Sequence, residues 1–329
     1  MSVFNTNDEE QARNWLESLK EKLQAAQGQK FTFLLVGRTG VGKSSTVNSL
    51  MGKTLAVVGD YEPCTMEIKK YENEINGINF TIIDTPGLCD DLEEVGNDYK
   101  YLERMRSDVS QVDSMWFVSR LDETRVTNDE KRGIKLISEA FGSKFWGQAV
   151  IIFTFAGAKN ASDYPIALEK RTELIRKEIA KYTGIGIANN VPSVAVDNTS
   201  KITPDGEQWL GELYTQIYAR ISAKGAAPFL MATVERIKRP EKKREVIREK
   251  IYEPVPKYAP IELNPKYAPI ELNPRQEAVV RNKTNEVLGL ASAGASVGAA
   301  IGSLGGPFGA AVGGAIGAGI GLIAGFFGW

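Results

Sequence analysis

Residues 33–46 read FLLVGRTGVGKSST, an apolar run feeding straight into a glycine-rich turn that closes on Lys-Ser. Gly37 to Ser44 fits G-x-x-x-x-G-K-[ST], and a strand before it with a helix after it is the context that gives this pattern meaning. The glycines let backbone N–H groups converge on phosphate oxygens at a helix N-terminus. Arg38, Thr39, Gly40, Val41, Gly42, Lys43, Ser44 and Ser45 form the expected cradle. Lys43 would bridge the β- and γ-phosphates, and the Ser44 hydroxyl would hold Mg²⁺.

Composition closes other routes. The 329-residue chain has no histidine, which excludes Ser-His-Asp hydrolysis, Cys-His proteolysis and His-ligated zinc. A net charge of −1 gives no electrostatic footprint for a nucleic acid. Two cysteines, Cys64 and Cys89, suggest neither a zinc cluster nor a disulfide framework, and point to a reducing compartment. The polar, acidic opening MSVFNTNDEEQ fits neither a signal peptide nor a transit peptide.

Residues 5–27 read as an amphipathic helix, capped by Thr6 or Asn7, with Trp15, Leu16, Leu19 and Leu23 as its apolar stripe. Strand-like runs at 31–36, 66–75, 78–84, 115–119, 149–154 and 192–196 then alternate with helical patterns at 43–51, 128–141, 163–182 and 206–221. Such alternation predicts an α/β fold with a mostly parallel sheet. Asn76-Gly77 predicts one antiparallel edge hairpin. Together with the phosphate loop this is a P-loop NTPase of the Ras-like, three-layer G-domain type. The domains expected are an N-terminal helix over 1–28, a G domain over 29–222, a charged helix with a Pro-rich repeat linker over 223–285, and a hydrophobic hairpin over 286–329. The linker holds KYAPIELNP twice in tandem, at 257–265 and 266–274. As an extended spacer the two copies would reach about 55 Å.

FTIIDTPG, at 80–87, ends a strand on Asp84, whose carboxylate can reach the Mg²⁺ shell, and places the Gly87 N–H toward the γ-phosphate. Thr65, in the loop between helix and hairpin, is the expected switch threonine sensing that phosphate through Mg²⁺; a plain surface threonine is the competing reading. Leu88 stands where Ras-type enzymes carry a water-orienting glutamine, so hydrolysis is expected to be slow. Cys64 and Cys89 fall in the two switch loops and are read as inert thiols rather than a redox pair.

The segment 116–156, WFVSRLDETRVTNDEKRGIKLISEAFGSKFWGQAVIIFTFA, resembles the septin-related GTPases with an AIG1-type G domain. That group includes the chloroplast outer-membrane import receptors and the immunity-associated GTPases. With the phosphate loop and DTPG, the resemblance spans roughly 31–221. It implies GTP and GDP as ligands although Asn-Lys-x-Asp is absent. Phe155 would stack on the base, in place of the receptors' histidine. Asp197 would accept from the guanine N1 and N2 hydrogens with Asn198 beside it; an ordinary strand-end turn is the alternative for that pair. The resemblance also implies a homodimer across the nucleotide face, with Arg125 reaching into the second copy's site as a catalytic finger or as a clamp; a solvated loop arginine is the competing reading. Finally, it implies a membrane-held C-terminus.

The tail permits that. From Val287 to Trp329 there is no charged residue, and Gly305-Gly306-Pro307 divides the stretch in two. Glycine recurs every fourth residue at 294, 298 and 302 and again from 309 to 325. This predicts a helical hairpin with small-xxx-small packing, its arms roughly 27 and 33 Å long against a ~30 Å hydrocarbon core. The function expected is a slow GTPase switch, cytoplasmic and seated on a lipid bilayer. Two alternatives are a membrane-active effector gated by the G domain and a nucleotide-loaded scaffold without meaningful hydrolysis.

Overall fold

The computed structural model describes residues 28–55, 68–85, 97–109, 111–237 and 267–288, with five isolated positions nearer the N-terminus. Those five, Asn14, Glu17, Glu21, Gln24 and Ala25, are helical and exposed. Thr65, Gly87, Leu88, both cysteines, the first KYAPIELNP copy and the Gly-Ala tail lie outside the described residues.

Six strands form one sheet: β1 (Phe31–Val36), β2 (Lys69–Ile75), β3 (Ile78–Asp84), β4 (Ser114–Arg120), β5 (Ala149–Thr154) and β6 (Ser193–Ala195). Their order is β2-β3-β1-β4-β5-β6. Every neighbouring pair is parallel except β2 with β3. That hairpin turns on Asn76 and Gly77, both left-handed at φ 55° and 75°, as a two-residue primed turn requires.

β1 and β5 are buried at every position, so their side chains serve two cores at once. Phe31, Phe33 and Leu35 face one core; Leu34 and Val36 face the other. Helices α1 (Lys43–Met51), α6 (Trp209–Arg220) and α7 (Ala223–Thr233) cover the first, through Val47, Leu213 and Phe229. The second is covered by α2 (Asn97–Asp108), α3 (Asn128–Phe141), α4 (Tyr164–Thr183) and the short α5 (Ile185–Asn189), through Met105, Ile134, Ile175 and Ala188. The result is the expected three-layer α/β sandwich.

The core continues past residue 222, where the sequence reading ends the G domain. α7 is buried from Gly225 to Thr233, and Phe229 packs edge-on against Phe31 and Phe33 at 5.5 and 5.4 Å. The second repeat copy, expected within a spacer, lies against the same body. Ile270 is fully buried and pairs with Ile237, and the chain then enters α8 (Pro274–Leu288). α8 packs on α6, where the Tyr218 and Thr284 hydroxyls meet at 2.9 Å.

Candidate functional site

The C-terminal ends of β1, β3, β4, β5 and β6 converge on one edge, the usual location of ligand crevices in parallel α/β sheets. Gly37 leaves β1 beneath this edge. A Cβ there would overlap the Val118 carbonyl oxygen, so the turn can run flush against β4 only as glycine. The loop ends on Gly42, left-handed at φ +92°, directly before α1. A Cβ on Gly42 would meet Asn198 Nδ2 at 3.2 Å and Thr154 Cγ2 at 3.3 Å.

Lys43 is folded back under the loop. Its Nζ donates to the carbonyls of Gly37 (2.8 Å) and Arg38 (3.1 Å) and lies 3.5 Å from Asp84 Oδ1. Burial is the larger influence on both charges: it pulls the Lys43 pKa down and pushes that of Asp84 up, each partly opposed by the other's charge. Asp84 Oδ1 is buried and accepts no hydrogen bond among the described residues. A buried carboxylate oxygen without a hydrogen bond is expensive, and Lys43 at 3.5 Å offsets only part of that cost. Ser44 is the second residue of α1, next to Lys43 at the end of the loop. One carboxylate and one hydroxyl beside a phosphate cradle suit Mg²⁺, which takes one or two protein ligands and fills its octahedron from phosphates and water.

Two residues that sequence reasoning missed, Thr154 and Thr46, brace the cradle. The Thr154 hydroxyl lies 2.7 Å from the Val41 carbonyl oxygen and 3.0 Å from that of Ser119. Thr46 donates to the Gly42 carbonyl at 2.9 Å and accepts from Asn198 Nδ2 at 3.0 Å. Asn198, expected beside the base, thus has its amide committed to α1. The Arg38 side chain also turns away, to Glu123 Oε1 (2.9 Å) and Asp129 Oδ2 (3.1 Å), leaving its backbone to the cradle.

At the base end, Phe155 takes a left-handed conformation at φ 57° and is 39% exposed. The Arg120 guanidinium, held by Asp122 at 2.9 and 2.6 Å, lies 3.9 Å over one face of its ring. Asp197 stands on the neighbouring strand end, joined through the Ala156 N–H donating to the Val196 carbonyl at 3.2 Å. Its Oδ1 accepts from the Thr199 amide (2.9 Å) and hydroxyl (2.6 Å), and Oδ2 lies over Gly157, where any Cβ would overlap it. The Arg120–Asp122 pair was visible only as part of the family-like RLD stretch.

Arg125 is exposed, on the loop between β4 and α3. Its carbonyl accepts from Arg171 Nη1 at 2.8 Å. Arg171, on α4, also donates to Glu130 Oε1 (2.6 Å) and Ser119 Oγ (2.7 Å) and is 2% exposed. Glu130 closes a capping box with Thr127 at the start of α3. A buried ion pair thus fixes the loop that carries an exposed arginine. Nothing in the local sequence marks Arg171, whose partners lie 41 to 52 residues away.

The sequence model of the AIG1 family matches residues 31–244. The chain belongs to the AIG1 family. This AIG1 chain is 28% identical over 203 residues to translocase of chloroplast 34 of Arabidopsis thaliana, covering 56% of the chain and 64% of that protein. It is 34% identical over 146 residues to GTP-binding protein A of Dictyostelium discoideum, covering 43% of the chain and 32% of that protein. Against translocase of chloroplast 101 of Physcomitrium patens, identity is 23% over 205 residues, 57% of the chain but only 22% of the relative. A crystal structure of a dimerisation-deficient mutant of Toc33 from Arabidopsis thaliana superposes with TM-score 0.51 at 24% identity, over 68% of the chain and 93% of that one. That match is one of fold.

Proposed function

We propose that the chain is a guanine-nucleotide switch: it binds GTP or GDP with Mg²⁺, hydrolyses GTP slowly, and pairs with a second copy across the nucleotide face. The observation that carries this reading is Asp84 Oδ1, buried without a hydrogen bond and 3.5 Å from the Lys43 ammonium beneath a glycine cradle. Lys43 and the backbone N–H groups of residues 38–45 hold the phosphates, and Ser44, Asp84 and Thr65 hold the ion. When bound, Mg²⁺ offsets charge on the phosphate oxygens. Gly87 meets the γ-phosphate through its amide. Phe155 stacks on the base, its far face backed by Arg120, and Asp197 accepts from the guanine edge, with Asn198 steadying α1 behind it. Adenine offers no donors where Asp197 accepts, which favours GTP over ATP.

Leu88 can neither align nor deprotonate water, so the rate depends on what a second copy adds. Arg125, exposed on an immobilised loop, is the group to add it, and an arginine supplied in trans is worth about 10³–10⁵ in rate. The dimerisation named for Toc33 and the nucleotide named for GTP-binding protein A support this assignment. Residues 287–329, uncharged and glycine-spaced, are assigned to a bilayer. Among the described residues no helix is long and apolar enough to cross a membrane.

Labelled GDP titrated against wild type, Lys43→Ala and Asp197→Ala, with GTP or ATP as competitor, tests the reading. GTP should compete and ATP should not, Lys43→Ala should abolish binding, and Asp197→Ala should erase the discrimination. Full affinity in Lys43→Ala refutes it. Phosphate release per molecule should rise with protein concentration and fall flat in Arg125→Ala.

A further inference from the structure

The second copy of KYAPIELNP lies in a groove behind the nucleotide edge, between the end of α1 and the start of α6. Ile270 fills it, fully buried, and its N–H donates to the Arg236 carbonyl at 2.8 Å. The Ala268 carbonyl accepts from Arg236 Nη2 at 2.6 Å, the Tyr267 hydroxyl lies 3.3 Å from that of Thr54, and Glu271 accepts from Gln208 at 2.9 Å. On the groove's wall, a Cβ at Gly211 would overlap the Glu271 carbonyl oxygen. The wall is cut to the backbone of this segment.

All these contacts come from the motif itself, and the motif occurs twice. Tyr258, Ala259, Ile261 and Glu262 repeat the four residues nine positions earlier. We propose that the groove is a recognition site for this motif and that 257–265 of the same chain is its second ligand, exchanging with 266–274 by a nine-residue shift of register. Identical side chains in one groove gain the same contact energy, so only the flanks set the preference. The chain from Ile237 to Ile261 exceeds the dozen residues that a parallel connection requires, so the first copy can pair with Ile237 in the same sense as Ile270 does. An intramolecular ligand also has a millimolar effective concentration, which favours the same chain over a neighbouring one.

The flanks favour the second copy. Asn273 opens α8 through a reciprocal pair with Gln276, at 2.9 and 3.0 Å, and Gln276 also donates to Glu212 at 2.8 Å. Asn264 has Tyr267 at that third position and can start no such helix. Docking the first copy separates α8 from the groove by nine further residues, about 28 Å of extended chain.

Two measurements on the full-length chain test this, and neither depends on nucleotide. The first compares thermal midpoints of Ile261→Asp, Ile270→Asp and the double variant. A carboxylate at the buried anchor weakens docking on the order of 100-fold. Ile261→Asp should be silent, Ile270→Asp should lose only part of the stability, and the double variant should lose more than the two together. An Ile270→Asp chain as unstable as the double variant refutes exchange. The second, which requires no anchor substitution, is disulfide trapping in a Cys64→Ser, Cys89→Ser background. Gln208→Cys with Glu271→Cys reports the resting register, and Gln208→Cys with Glu262→Cys reports the shifted one. An intrachain bond from the second pair, forming more slowly than the first, supports the proposal. No such bond, or one that joins two chains, overturns it.

Discussion

Replacing Arg171 with alanine should remove more stability than any other single truncation at the edge of the site. The guanidinium is 2% exposed and donates to the Glu130 carboxylate, the Ser119 hydroxyl and the Arg125 carbonyl. Without it, Glu130, itself 5% exposed, keeps among the described residues only the Ser119 hydroxyl and the Thr127 amide as donors. Breaking a buried pair by deleting one member costs about 3–5 kcal/mol, because the remaining charge is stranded. For a body of this size each kcal/mol moves the melting midpoint by about 2–4 °C, so the drop should be roughly 6–20 °C.

A double variant separates stability from placement. Arg171→Met with Glu130→Gln removes both charges, refills the space and keeps an N3 side chain able to cap Thr127. It should recover most of the lost stability, since an uncharged replacement of a buried pair is often neutral or better. Methionine cannot hold the Arg125 carbonyl, however, so the concentration-dependent part of GTP hydrolysis should stay low in the recovered protein. Urea unfolding and phosphate release on the same samples read the two effects. A loss under about 1 kcal/mol in Arg171→Ala, or a double variant no better than the single, would sink the ion-pair reasoning. Normal concentration dependence in the double variant would sink the placement.

Gly37→Ala should cost far more than Gly40→Ala: both have positive φ, but a Cβ at Gly37 overlaps the Val118 carbonyl whereas one at Gly40 meets nothing within 4 Å. The second should lose only the ~1–2 kcal/mol of left-handed strain, compared by thermal midpoint and GDP affinity. Burial raises the Asp84 pKa, so its proton competes with Mg²⁺ at higher pH than at an ordinary carboxyl near ~4. Mg²⁺-dependent GDP retention should therefore weaken as pH falls toward that raised value, and Asp84→Asn should flatten the profile in dissociation assays. The same shift means that this group favours the ligand-free fold at low pH and that the benefit fades as pH rises through the raised pKa. Arg120→Ala removes the cation over Phe155, worth about 0.5–1 kcal/mol, and should weaken GDP two- to fivefold by titration.

β1, β4 and β5 were legible because burial on two faces leaves uninterrupted apolar runs, and the β2–β3 hairpin because Asn-Gly has one common use. Where the pattern is faint, local reading failed. α2 has an apolar side reduced to Leu102 and Met105 among its described side chains, too narrow a stripe to register. α7 failed for the opposite reason: AAPFLMAT is buried all round, so it has no periodicity, and Pro228 looks like a breaker. The phosphate loop carries its own signature, whereas Thr154, Asn198 and Arg171 act across the sheet on partners that no local window contains. The repeat was legible as a repeat, but an extended segment gives no sign of the surface it lies on.

α1 joins the two features that the sequence kept apart. Its first turn closes the cradle, tied by Thr46 to Asn198. Its last carbonyls, Ser49 and Leu50, accept from the Arg236 guanidinium, a cation at the negative end of the helix. Burial pushes that guanidinium down to about 10, which leaves it charged at neutral pH. The same guanidinium holds the Ala268 carbonyl of the docked repeat. A helix of this length is about 14 Å of rigid rod, so it cannot shift at the phosphate end without moving the carbonyls that Arg236 grips. A change in either the cradle or the groove thus falls on one element, and coupling between distant sites needs such a shared element.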